Sequence, residues 1–231
     1  MGIFVIIIGF AIISFAVNRR LKNKFKKYSQ VPLRSGLSGK DVAEKMLADN
    51  GIYDVKVVSV TGHLSDHYNP ANKTVNLSEQ VYLGRSIASA AVAAHECGHA
   101  VQHAKEYGML QLRTALVPLQ AVSGKIMNFL FLAMIFGGSF LYSTFPYQGI
   151  LLLIIAAYAV FTLFAFVTLP VEFDASNRAL AWIDAKGVVS NQEHEGAKDA
   201  LKWAAMTYVV AAIASLVTLL YYVMAFLGVR D

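Results

Sequence analysis

IMNFLFLAMIFGGSFLYSTFPYQGILLLIIAAYAVFTLFAFVTLPV, residues 126–171, contains no Asp, Glu, Lys or Arg. It is too long for a single membrane crossing, which takes roughly 17–25 apolar residues. Thr144-Phe145-Pro146-Tyr147-Gln148 supplies a turn in its middle. The stretch therefore reads as two spans joined by a tight hairpin, one over 119–143 (charge-free from Ile126 on) and one over 149–169. Two more blocks flank this pair. Gly2 to Val17 is uncharged and ends abruptly at Asn18-Arg19-Arg20, which predicts a first span over 1–18; 203–229 is uncharged and predicts a fourth.

The whole chain agrees with this reading. Of 231 residues, 56% are hydrophobic and 15% charged, with a mean hydropathy of +0.50. A soluble domain carries roughly 25% charged residues, so the composition rules out a disordered chain and argues against a freely soluble globule. The expected fold class is an integral membrane protein, mainly α, with four transmembrane helices and a cytoplasmic α+β domain.

Orientation follows from the basic residues. Arg19, Arg20, Lys22, Lys24, Lys26 and Lys27 stand directly after the first span, which places that end in the cytoplasm. Four spans then put 18–125 and 170–202 inside and both termini outside. Those two segments hold all Lys and Arg except Arg230. A retained anchor is expected rather than a cleaved signal, because the positive charge follows the apolar stretch instead of preceding it. Ile6 stands where myristoylation needs Ser or Thr. The net charge of +5 is explained by topology and by contact with the anionic headgroups of a cell membrane, and no nucleic-acid partner is expected. The lone Cys97 excludes an intrachain disulfide and suits a reducing compartment.

Between the spans, 19–38 reads as a basic juxtamembrane segment and linker broken by Pro32 and Gly36. Ser38 with Asp41 three residues on starts a helix that Gly51 stops. Val55 to Val60 and Lys73 to Leu77 read as strands separated by a polar, aromatic stretch, Gly62 to Pro70. An alanine-rich helix is expected from Ser86 to Tyr107, and another from Glu172 to Lys186, ended by Gly187. The domain so outlined runs from 39 to 118, and 170–202 forms a second cytoplasmic segment.

The alanine-rich helix carries His95-Glu96-Cys97-Gly98-His99, an H-E-x-x-H pattern. Residues four apart share a helix face, so His95 and His99 can offer two imidazoles to one Zn²⁺. Glu96, beside the first, is placed to take a proton from water and pass it to a leaving amine. A surface helix with two incidental histidines would not be flanked by Ala91, Val92, Ala93, Ala94, Ala100 and Val101, all small or apolar. A catalytic zinc takes about three protein ligands. Lys105 stands where a metzincin would have its third histidine. His103 continues the i, i+4 series but lies a turn too far along. Glu172 is the more attractive candidate, because an acid so near the end of a span is costly without a partner; its plainer reading is an interfacial acid.

An oxyanion develops during peptide hydrolysis and calls for a donor. Tyr68, His67 and Arg178 are available, with Arg178 and Tyr68 ranked first. His63 and His67 read as loop residues, His194 as a solvated loop residue, and Cys97 as a small buried side chain.

The stretches from Gly62 to Pro70, Leu77 to Tyr82, Ala94 to Gln102 and Leu169 to Ser176 together resemble, in order and spacing, the YugP-type neutral zinc metallopeptidases of bacterial membranes. The likeness covers nearly the whole chain. It implies a zinc-dependent membrane endopeptidase of the gluzincin kind with a zincin-like domain, distantly similar to the HtpX and CAAX prenyl proteases. In those relatives the third ligand is a Glu that maps by position onto Glu172. They also carry an Asp four residues later, where this chain has Ser176, with Asp174 at two residues instead; the resemblance thus leaves Asp174, Ser176 and Asp66 as candidates for holding a zinc-bound histidine.

The expected function is thus hydrolysis of peptide bonds in membrane-associated or misfolded proteins at the cytoplasmic face, with an extended substrate segment paired to the 73–77 strand. A zinc-binding membrane scaffold or chaperone without proteolysis is the alternative, and it would have no use for Glu96. A channel or transporter would place ionisable groups at mid-membrane, and the spans offer no charged residue there.

Overall fold

The computed structural model describes residues 2–144 and 146–228, with backbone alone over 138–144. Phe145 of the expected hairpin, and Val229 and Arg230 at the carboxyl end, lie outside the described residues. Among the described residues the protein is mostly helical, with four long apolar helices and one small sheet.

Helix α1, Gly2–Ser29, runs without a break through the basic run that the sequence suggested as a separate segment. Lys, Arg and Leu are good helix formers, and the first strong breaker is Pro32. Helix α2, Gly39–Asp49, begins at the anticipated capping box: the Ser38 hydroxyl accepts from the Asp41 amide at 3.2 Å, and Asp41 accepts from the Ser38 amide at 2.8 Å. Gly51, at φ +72°, turns the chain out of that helix.

The sheet holds β1 (Lys56–Val60), β2 (His67–Asn69) and β3 (Thr74–Ser78) in the order β1-β3-β2. β1 runs parallel to β3 with Val57 opposite Val75, and β2 runs antiparallel to it with Tyr68 opposite Val75. The pattern had shown β1 and β3 but not β2, whose three residues are too few to alternate. The turn after Pro70 folds them back onto β3. This order corrects the expected substrate path. β3 is the central strand with a neighbour on each side, so a bound peptide cannot pair with it; β2 is an edge strand.

After the short α3 (Glu79–Tyr82), α4 (Ile87–Ala104) starts at Ser86, whose hydroxyl accepts from the Ser89 amide at 3.2 Å. Three long helices follow: α5 (Gly108–Thr144), α6 (Tyr147–Ala185) and α7 (Asn191–Phe226). With α1 they make four helices long and apolar enough to cross a membrane. The expected break after Leu169 is absent, and α6 carries Pro170 inside it. Glu172 therefore sits on the same helix as the third apolar block. α6 ends where Gly187 (φ +61°) and Val188 donate to Asp184 and Ile183.

The chain separates into two compact units. One comprises 1–15, 112–169 and 208–231. Many of its large side chains, Phe4, Phe129 and Phe136 among them, are exposed, as suits helices whose surroundings are lipid. The other comprises 16–111 and 170–207 and holds the larger core. There Val42, Ala43 and Met46 of α2, Val75 and Leu77 of β3, Ala90 to Cys97 along one side of α4, and Ile183 of α6 are buried together.

Candidate metal centre

The alanine-rich face of α4 is buried almost throughout, and it takes Glu96 and His99 inward with it, with His95 half-buried beside them. The rings of His95 and His99 stand 4.8 Å apart at 82°, as the i, i+4 spacing dictates. Glu172 of α6 meets both. Its Oε2 lies 3.4 Å from Nε2 of His95 and 3.6 Å from Nε2 of His99. Among the described residues this is the one group of three metal-type donors drawn together, all within 4.8 Å of one another.

What brings α6 so close is Gly98. A Cβ built there would stand 2.5 Å from the carbonyl oxygen of Ala175, so the two helices touch backbone to backbone between the two histidines. Any larger residue at that crossing would hold the Glu172 carboxylate away from the imidazoles.

Both imidazoles are fixed from behind. Nδ1 of His99 lies 3.0 Å from Oε1 of Gln102, and Nδ1 of His95 lies 3.1 Å from Oγ of Ser176. With each Nδ1 held by a partner, both Nε2 atoms are turned toward Glu172. Gln102, fully buried, is itself held by its amide, which donates to the Val171 carbonyl at 2.7 Å and to Asp174 at 2.8 Å. Arg178 donates to the same Asp174 oxygen at 2.5 Å. Gln102 had been given no role from the sequence. Its signal was there in the i, i+3 spacing from His99, but any polar residue on an exposed helix face shows the same spacing. Of the three candidates for holding a histidine, Ser176 touches His95, Asp174 reaches His99 only through Gln102, and Asp66 caps β3 instead, accepting from the amide and hydroxyl of Ser78.

The other candidate residues are placed as follows. The Glu96 carboxylate accepts from the backbone amide of Tyr68 at 3.0 Å, so the edge strand β2 lies against it. The Tyr68 hydroxyl is 2.7 Å from Nδ1 of His103. Arg178, besides its bond to Asp174, stacks over the ring of Tyr107. His63 packs edge-on against Phe25, and His67 bonds to the Ser65 carbonyl. Cys97 is buried with its thiol toward the Ala43 carbonyl. His194 is not a solvated loop residue. It lies in the first turn of α7, half-buried, with its Nδ1 enclosed and 3.8 Å from Asp184.

The electrostatics of the cluster are mutual. Burial pushes the Glu172 carboxyl up, but the hydrogen bonds and positive charge of His99 and His95 outweigh it and hold the group far below the usual carboxylate range. Burial pushes the His99 imidazolium down, while Glu172 and Glu96 push it up further, so its net shift is upward. A buried carboxylate facing two imidazoles is thus a place built for positive charge. The donor set suits zinc: bonds of about 2.0–2.1 Å in tetrahedral geometry put donor atoms about 3.3 Å apart, close to the 3.4 and 3.6 Å seen here.

Fold and site together define a membrane protein with a candidate His-His-Glu metal centre. The family model described as "Putative neutral zinc metallopeptidase" matches residues 3–227, and the chain belongs to that family. It is 43% identical over 219 residues to the "Putative membrane protease YugP" of Bacillus subtilis (strain 168), covering 95% of this chain and 94% of that protein. No solved structure shows a significant match.

Proposed function

We propose that this protein is a membrane-embedded zinc metalloendopeptidase that hydrolyses peptide bonds of membrane-associated or misfolded proteins at the cytoplasmic face. The observation that carries the reading is the convergence of two Nε2 atoms and one Glu172 oxygen beside Glu96. His95, His99 and Glu172 would hold the ion. When bound, zinc polarises a carbonyl and lowers the pKa of water.

The protein's own groups supply the rest. Glu96 receives a proton at its carboxylate and delivers it to the leaving amine. Gln102 and Ser176 keep the two imidazoles from turning. Arg178 and Tyr68 are the proposed donors to the developing oxyanion; the Asp174 bond holds the first and the His103 contact steadies the second. An extended substrate segment would lie along the outer edge of β2, next to Glu96, where main-chain pairing recognises a backbone without regard to its side chains. The zincin-like arrangement of 39–118 and the inward placement of 18–125 and 170–202 rest on the motif order and on the Lys and Arg distribution.

The test is Glu96→Gln in the full chain, purified in detergent. It should keep its zinc by elemental analysis and lose cleavage of casein. Cleavage retained at the wild-type rate would overturn the role of Glu96. Zinc bound by a wild-type protein that cleaves neither casein nor itself would favour the scaffold reading.

A further inference from the structure

The basic run after the first apolar block is not uniform once folded. Lys24 is ion-paired with Asp199 at 2.6 Å, and Arg20 lies over the ring of Trp203. Lys22 and Lys26, one turn apart on another side of α1, have no carboxylate within salt-bridge distance among the described residues. Instead they line a cavity of about 520 Å³ together with Gln30 and, from facing segments, His63 and Gln80. No acidic side chain lines it. Phe25, buried and packed edge-on against His63, also lines it.

The cavity therefore offers two ammonium groups, an imidazole and the side-chain amides of Asn23, Gln30 and Gln80, with no acidic side chain among the described residues that line it. That donor set matches a phosphate oxygen cluster. Its place along the helix narrows the source. Lys22 is five residues beyond Val17, where the apolar stretch ends, or about 7.5 Å along an α-helix. That is headgroup depth for a helix whose apolar part spans the hydrocarbon, and charges just past a span are drawn to anionic lipid.

We propose that this cavity is a binding site for the phosphate headgroup of an anionic phospholipid, held by Lys22 and Lys26 with His63, Gln30 and Gln80 completing the hydrogen bonds. The site is separate from the metal centre and does not depend on the proposed peptidase activity.

The test uses the full chain, delipidated in a neutral detergent, with phosphatidylglycerol, phosphatidylcholine or glycerol phosphate titrated in and bound species counted by native mass spectrometry. Phosphatidylglycerol should bind with saturable preference over phosphatidylcholine. Lys22→Gln/Lys26→Gln should weaken it on the order of 10–30-fold, taking about a factor of five per lost charge. Lys22→Arg/Lys26→Arg should restore it, and Lys45→Gln/Lys56→Gln, away from the cavity, should leave it unchanged. Both lysines are exposed, and an unchanged thermal midpoint for the Gln pair checks that the fold is kept. Equal binding of the two lipids, or no loss in the Gln pair, would overturn the site. Glycerol phosphate binding as tightly as the lipid would overturn the lipid assignment in favour of a soluble phosphate.

Discussion

Gln102 shows how much of the candidate centre rests on one side chain. Its carbonyl oxygen takes the Nδ1 of His99, and its amide is pinned by Val171 and Asp174 on the neighbouring helix. Gln102→Leu keeps the volume but leaves the buried Nδ1–H, the Val171 carbonyl and the Asp174 carboxylate each short of a partner, and an imidazole free to turn. Partners of this kind are worth 10–100-fold in metal affinity. Chelator competition should show a loss of zinc affinity in that range for Gln102→Leu, and affinity equal to wild type would mean that packing alone orients His99. The sequence reading offers Asp174, Ser176 and Asp66 for that task, and of these only Ser176 touches a histidine. The partner of His99 is a neutral amide outside that set, and only the contacts reveal it.

At the scale of elements, the decisive feature is the crossing of α4 and α6 at Gly98. Glycine in a helix interior costs up to ~1 kcal/mol relative to alanine, so by propensity alone Gly98→Ala would stabilise α4. The Ala175 carbonyl at 2.5 Å from the new methyl opposes this. It is backbone in another helix and cannot swing aside, and overpacking of that kind costs about 1–3 kcal/mol. The clash wins. Gly98→Ala is expected to lower the thermal midpoint and, because α6 must back away, to weaken zinc binding at the same time. A variant of wild-type midpoint and zinc content would show that the two helices need not touch. The glycine was visible in the motif, but its purpose was not, since nothing in a linear string says which helix will lie across it. The strand order belongs at this scale too: β3 was legible from its alternation, whereas its central place came from β2, a strand too short to announce itself.

Across the unit formed by 16–111 and 170–207, stability is coupled to pH through a three-residue group joining α1 to α7. Asp199 accepts from Lys24 at 2.6 Å and from the Tyr28 hydroxyl at 2.7 Å. Burial pushes the Asp199 carboxyl up, and Lys24 and Tyr28 more than reverse it, so its folded value lies below the ordinary one. Such a group stabilises above the unfolded carboxylate pKa of about 3.9 and loses its contribution as pH falls through the folded value. The Tyr28 phenol moves the other way, pushed up to about 12 by its hydrogen bond to Asp199, by burial and by the charge beside it. Its contribution is complete below the unfolded pKa of about 10 and disappears as pH climbs from there toward 12. Thermal midpoints taken across pH should therefore fall at both ends, below about pH 4 and above about pH 10. Asp199→Asn should flatten the acid limb and Tyr28→Phe the alkaline one. An alkaline limb unchanged by Tyr28→Phe would remove this group from the account.

Hydropathy, helix periodicity and capping are local properties, because each depends on residues within a turn or two of one another. They are why the four apolar blocks, the Ser38 capping box and the shared face of His95 and His99 could be read from the string alone. The meeting of Glu172 with both imidazoles, the bracing of those rings by Gln102 and Ser176, the unbroken course of α6 through Pro170 and the interior position of β3 all depend on which surfaces pack together. Tertiary structure decided these, because the approach of α4 to α6 is set by a bare backbone at Gly98 against Ala175, and a contact between distant segments leaves no period in the sequence that carries it.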